Sequence, residues 1–200
     1  TAQRVPCNKI YEGDYYALDA GSFHALRQFC EVTGNLRINV IGMASFTLEG
    51  LTSVGGNLRV DFDSGLRSFS FPSLTSLGGS LWVEGNFRLI TFEMPALHSV
   101  GGDIWVYYNS ILQSFSMPAL ASVGGSLAVT GNYLLTSFDA PVLSILGGNL
   151  LVEHHFELLS FSMPALTSVA GAVQIETNDV LVSFALPALV TVDQMLIELN

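Results

Sequence analysis

The sequence predicts an all-β chain wound into a parallel β-helix, or solenoid, of about seven 23-residue turns behind an N-terminal helical cap. Two observations predict it. A Gly-Gly pair falls at Gly55-Gly56, Gly78-Gly79, Gly101-Gly102, Gly124-Gly125 and Gly147-Gly148, then decays to Ala170-Gly171 and Asp193-Gln194. Between these pairs the same phrase recurs, so residues of successive turns form columns. One column is Leu66, Leu89, Leu112, Leu135, Leu158 and Leu181, a second is Phe69, Phe92, Phe115, Phe138, Phe161 and Phe184, and Pro72 to Pro187 form a third at the same spacing. A fourth runs from Leu74 to Leu189, with an aliphatic residue three places later in each turn. These columns are the expected core.

Residues 1–33 read as the cap. Tyr16, Leu18, Phe23, Leu26 and Phe29 suit a helix over roughly 16–29, laid across the first turn to hide its backbone edge. Cys7 and Cys30 flank this helix. Paired, they would tie the cap down by about 3 kcal/mol and imply an oxidising compartment. As two thiols they imply neither. From residue 34 to 200 the repeat is unbroken, so cap and solenoid form one domain.

After each Gly-Gly comes an alternation such as Leu58-Arg59-Val60, Leu81-Trp82-Val83 or Ile104-Trp105-Val106, the period-2 pattern of a strand with one buried face. A second short strand is expected around each Ser-Phe, closed by Pro at a corner where a missing N–H is tolerated. Gly-Gly marks another corner, one that needs positive φ or close backbone approach. Asn86, Asn109, Asn132 and Asn178 follow the first strand and can bond turn backbone; Asp63 and His155 are the departures from that column. At ~4.8 Å per rung, seven turns give a rod of about 35 Å.

Charge is uneven along the chain. All seven basic residues lie in the first 88 positions with eight acids, whereas positions 89–200 carry nine acids and no Lys or Arg. Nothing in that second part can neutralise phosphates, which argues against a nucleic-acid partner. The uncharged stretch between Asp103 and Asp139 is interrupted by Ser, Gly and Pro and alternates with period 2, unlike the ~20 apolar residues of a spanning helix. No Asn-x-Ser/Thr sequon occurs.

The stretch Cys-Glu-Val-Thr-Gly-Asn-Leu-Arg-Ile from Cys30, preceded by a helix and Cys7 and followed by repeated Phe-x-x-Pro-x-Leu-x-Ser-Val-Gly-Gly, resembles the receptor L-domain family. This family comprises the β-helical modules of growth-factor-type receptors and of microbial surface proteins. The resemblance covers nearly the whole chain and is closer to the microbial members. It implies a right-handed parallel β-helix, an extracellular or cell-surface setting, and a role in ligand binding or wall architecture. The ordinary leucine-rich repeat is the nearest competitor, since Leu-x-Val-x-x-Asn resembles its strand and turn. Family members usually close with a cap containing further cysteines. This sequence reaches Glu198-Leu199-Asn200 without one, so further chain or another subunit is expected to cover that end.

The outward position of the first strand reads Arg59, Trp82, Trp105, Ala128, Leu151, Gln174 and Ile197, with Tyr107 two places beyond Trp105. Two tryptophans on adjacent turns beside Tyr107 make an apolar patch, flanked by Arg59 and Leu151, of the kind that marks a contact surface. The expected occupant is a protein, or sugar rings stacked on indole. A lateral interface with an identical subunit, or Trp shielded by a loop, explains the same residues equally well. The column Ser53, Ser76, Ser99, Ser122, Ser168 and Thr191 is assigned to corner backbone bonding rather than to an ice-binding ladder. His154-His155 is the nearest approach to a metal cluster, but adjacent strand residues point apart, and no cofactor or metal is expected. Asp61 and Asp63 lack the spacing of a calcium loop. With scattered acids, no basic residue after Arg88, and no nucleophile elbow, Cys/His pair or phosphate loop, the chain reads as non-catalytic. The expectation is therefore a recognition or adhesion module using the Trp82/Trp105 face. Its alternative is a structural subunit of a wall or fibre that assembles through its open C-terminal edge or its flanks.

Overall fold

The computed structural model describes residues 9–198. It is a parallel β-solenoid of about eight turns with one short helix. Each turn has three faces. The first is a two-residue strand, as in Ser53–Val54, Ser76–Leu77, Ser99–Val100 and Ser122–Val123. Beyond the Gly-Gly corner lies the second and broadest face, built from Leu58–Asp61, Leu81–Glu84, Ile104–Tyr107, Leu127–Thr130 and Leu150–His155. The third face holds the Ser-Phe strands, among them Ser68–Ser70, Thr91–Glu93 and Ser114–Ser116. Strands pair in parallel with their counterparts one turn away, the third face alone being divided between Ser114–Ser116 and Ser137–Asp139, and the register keeps like with like: Leu81 opposite Ile104, Trp82 opposite Trp105, Phe92 opposite Phe115.

The register explains the columns. Because side chains alternate across a strand, Leu58, Val60, Leu81, Val83, Ile104 and Val106 all face inward and are fully buried. The phenylalanines form one stack from Phe46 through Phe69, Phe92, Phe115, Phe138 and Phe161 to Phe184. Their centroids are 5.0–5.5 Å apart and neighbouring planes lie within 20° of parallel. Each fully buried Leu or Phe contributes about 1.5–3 kcal/mol.

The N-terminal region differs from the expectation in one respect. The helix spans only Ala20–Leu26, while Ile10–Tyr11 and Tyr15–Ala17 are already rungs of the first and second faces. The coil therefore begins before residue 34, which adds a turn. Tyr16 and Leu18 are exposed, because Tyr16 is an outward strand residue rather than a helical one. The helix stands where later turns have the third-face strand. Asp19 caps it, its carboxylate accepting from the Ser22 N–H at 2.7 Å, and Phe23 packs at 5.1 Å on Phe46, closing the end of the phenylalanine stack. Buried Cys30 follows at the head of the next turn; its expected partner Cys7 lies outside the described residues, as does Arg4.

The Gly-Gly corner works by close approach. Its glycines do not have positive φ; instead, a Cβ on Gly78 would sit on the carbonyl oxygen of Gly55, one on Gly101 on that of Gly78, and one on Gly124 on that of Gly101. A polar ladder beside them completes the corner. Asn57, Ser80, Asp103, Ser126 and Asn149 each present a side-chain oxygen that accepts the N–H one turn on, at 2.7–2.9 Å, ending at the N–H of Ala172. Hydroxyl bonds to backbone at the neighbouring corner come from Thr52, Thr75, Ser144 and Thr167, one place before the serine column that was expected to make them.

Candidate binding surface

The second face carries the residues singled out by sequence. Arg59, Trp82, Trp105 and Leu151 occupy its outward position in register, and Tyr107 stands two places beyond Trp105. All five are half-buried rather than free-standing. Ala128, between the Trp105 and Leu151 rungs, is fully buried although it points outward, so the larger neighbours close over it. In the last turn the register shortens by one residue. Gln174 pairs with Leu196, and Ile197 falls in the inward column beside Ile175, so Leu196 rather than Ile197 continues the outward position.

One end of this face is ionic. The carboxylate of Asp61 is completely buried beneath two guanidinium groups, Arg37 giving two hydrogen bonds of 3.0 Å and Arg59 an ion pair at 2.6 Å. Burial of a carboxylate is tolerated because the Arg forks pair it. Arg59 also reaches Glu84 at 3.1 Å and lies 5.9 Å from the Trp82 ring, a cation–π contact. Asp61 and Arg59 thus fix the first part of the face. Asp63 caps its own turn, accepting from the N–H groups of Gly65 and Leu66.

The middle is aromatic. Trp105 and Tyr107 meet edge to face at 5.0 Å, and Tyr107 meets Tyr108 at 6.0 Å. Burial raises the Tyr107 phenol to about 12. Beyond Leu151 the second outward column becomes acidic, with Glu153 paired to Glu176 and Glu176 to Glu198. Burial, and then the Glu176 charge one turn on, push the Glu153 carboxyl above its ordinary range.

The next corner was only partly anticipated. Its asparagines are not surface turn residues but a buried ladder. Asn86, Asn109 and Asn132 donate from Nδ2 to the carbonyls of Val60, Val83 and Val106 at 2.7–2.9 Å, while the N–H groups of Asp63, Asn86 and Asn109 donate to the next Oδ1 at 3.1 Å. In each of these turns the residue before this column has a left-handed backbone. These residues are Phe62, Gly85, Tyr108, Gly131, His154 and Thr177, with φ between 49° and 68°. His155 substitutes for an asparagine with Nε2 3.0 Å from the Val129 carbonyl and Nδ1 3.0 Å from that of Asn132. It is wholly buried while His154 is exposed, so the two imidazoles diverge.

Outside this corner stands a set of aromatics that the sequence reading missed. Phe62, Phe87, Tyr108 and Phe156 are 50%, 56%, 52% and 48% exposed, more open than either tryptophan, and half-buried Tyr133 stacks on Phe156 at 4.8 Å with planes 10° apart. Five successive turns each contribute one ring. Phe62 packs on Gly85 and Tyr108 on Gly131, where a Cβ would strike the ring. The available signal was a two-turn alternation, Phe62-Gly85-Tyr108-Gly131, hidden within the 23-residue period.

Among the described residues no helix is long and apolar enough to cross a membrane. Comparison of the chain with protein-family models, with curated proteins and with solved structures found no match.

Proposed function

We propose that this chain is a non-enzymatic recognition module of the cell surface or extracellular space, akin in role to the receptor L-domains that its repeat resembles. It would take a macromolecular partner on its second face. The observation that carries this reading is the continuous aromatic patch of Trp82, Trp105, Tyr107 and Tyr108, held on a rigid parallel sheet beside an ion cluster that fixes Arg59. A pre-organised aromatic surface loses little entropy on binding, and aromatic residues with Arg dominate contact energetics.

The test uses fluorescently labelled chain applied to intact cells and to the cell-wall fraction of its source, alongside a Trp82→Ala/Trp105→Ala variant with an unchanged melting curve. Strong labelling by the parent and a more than tenfold loss in the variant support the reading. Equal labelling by both, or none by either, rejects it. Light scattering on the same samples reads out the structural alternative, since a self-assembling subunit would give regular filaments instead of labelled surfaces.

A further inference from the structure

The corner beside the second face carries five aromatic rings at one per turn: Phe62, Phe87, Tyr108, Tyr133 and Phe156. Three features set them apart from incidental surface apolarity. First, they are backed by structure. Phe62 and Tyr108 rest on the glycines of the following turn, and Tyr133 rests on Phe156. The asparagine ladder immediately beneath ties each corner to the next. Second, two are placed at a steric cost. The left-handed slot is filled without strain by Gly85 and Gly131, yet Phe62 and Tyr108, like His154 and Thr177 in later turns, occupy it with φ between 49° and 60°, a conformation unfavourable for bulky residues. Third, one ring falls on each turn, hence one per ~4.8 Å of rise along the solenoid, divided between the slots before and after the asparagine column.

A row of rings with that step suits a ligand with a comparable repeat and a flat apolar face on each unit. Pyranose rings in a linear polysaccharide have both properties, whereas a protein surface other than another solenoid has no such period. Charge narrows the class further. Glu84, Glu153, Glu157 and Asp179 lie within two positions of this corner in their turns, against the single cation Arg88 beside Phe87, and no Lys or Arg follows it. Carboxylates accept hydrogen bonds from sugar hydroxyls and repel a polyanion.

We infer that this ridge is a binding site for an uncharged linear polysaccharide, with sugar rings packed along the exposed parts of Phe62, Phe87, Tyr108, Tyr133 and Phe156. The inference rests on the reading of the chain as a binding module and names the class of partner for a second, adjoining surface. Tyr108, which touches Tyr107, is where the two surfaces meet.

The test is calorimetric titration of the parent chain with cellohexaose, chitohexaose and a β-1,3-glucan hexasaccharide, with the matching disaccharides and with a heparin fragment. At least one hexasaccharide should bind, more than tenfold tighter than its disaccharide, and heparin should not. A Phe87→Ala/Tyr133→Ala/Phe156→Ala variant should lose more than tenfold in affinity. Tyr108→Gly should lose a few-fold while remaining folded, because it installs the residue that two other turns already use at that slot. Absence of binding to all three hexasaccharides overturns the inference. So does tight binding of heparin, or undiminished affinity in both ridge variants. If only the Trp82→Ala/Trp105→Ala variant lost the sugar, the ligand would sit on the second face, and the recognition reading would stand without the ridge.

Discussion

The middle turns and the last two turns are built from the same columns but end their first face differently. From Gly55 to Gly148 each turn bends sharply at Gly-Gly and resumes as a separate strand, with the side-chain ladder from Asn57 to Asn149 bridging the bend. At Ala170-Gly171 one glycine has acquired a methyl group, and Ala172 supplies no side-chain acceptor. There the chain runs on as the eleven-residue strand Ser168–Asn178, and again as Thr191–Glu198, with a register shift between Val169 and Ala172. The corner is therefore produced jointly by the absence of a side chain and the presence of an acceptor. Burial follows the same division. Leu112 is fully buried, whereas Leu181 of the same column, like Phe184, Leu189 and Val192, is only partly so.

The largest effect should come from forcing the late geometry on a middle turn. Gly101→Val drives a branched side chain onto the Gly78 carbonyl and should cost more than about 4 kcal/mol, visible as loss of cooperative urea unfolding near room temperature. A midpoint close to that of the parent would mean that the Gly-Gly stack is not what bends the chain. Next, Leu112→Ala should cost about 2–5 kcal/mol, and Leu181→Ala distinctly less, since its site is already partly open; equal losses would erase the difference between the two regions.

Asn109→Ala comes third. It removes the Nδ2 bond to the Val83 carbonyl and strips the Asn86 N–H of its acceptor, at about 1–3 kcal/mol for the buried group left unpaired. Asn178→Ala should cost less, because Asn178 Oδ1 has no donor among the described residues and only its bond to the Val152 carbonyl is lost. The smallest effect is a pH dependence. Burial holds the His155 imidazole below its ordinary pKa, outweighing the two carbonyls that favour the proton. The unfolded chain therefore takes up that proton first. Stability should be complete above the ordinary value of about 6.5 and should fall as pH drops below it, by no more than about 1.4 kcal/mol per pH unit for this group. His155→Asn, which restores the ladder residue, should flatten that slope in denaturation curves measured from neutral to mildly acid pH.

Much of the fold was legible because its determinants are one-dimensional. A parallel register stacks each residue on its equivalent one turn away, so Leu112 or Phe115 could be assigned inward from period alone. What escaped depended on conformation within a turn. The pattern of Tyr16, Leu18 and Phe23 reads equally as helix or strand, and only pairing of Tyr15–Ala17 with Leu36–Ile38 decides it. The tryptophans were correctly placed on the outward column, but their half-burial follows from the size of flanking residues in neighbouring turns, which spacing does not convey. The aromatic ridge was missed because its rings are divided between the slots before and after the asparagine column. A column search at one offset sees Phe62 and Tyr108 separated by glycines, and at the other Phe87, Tyr133 and Phe156 interrupted by Ser110.

The two polar ladders also bear on how this chain can vary. Asn57, Ser80, Asp103, Ser126 and Asn149 each serve the turn that follows, and Asn86, Asn109 and Asn132 each serve the turn before. Any one middle turn presents its neighbours with the same acceptors, donors and glycine gap as any other. Excising residues 104–126 as a block would bring Asp103 to Leu127 and leave every column continuous, whereas removing half as many would misalign all of them. Length in this molecule is thus quantised, and a gene encoding it can grow or shrink only by whole circuits of the coil.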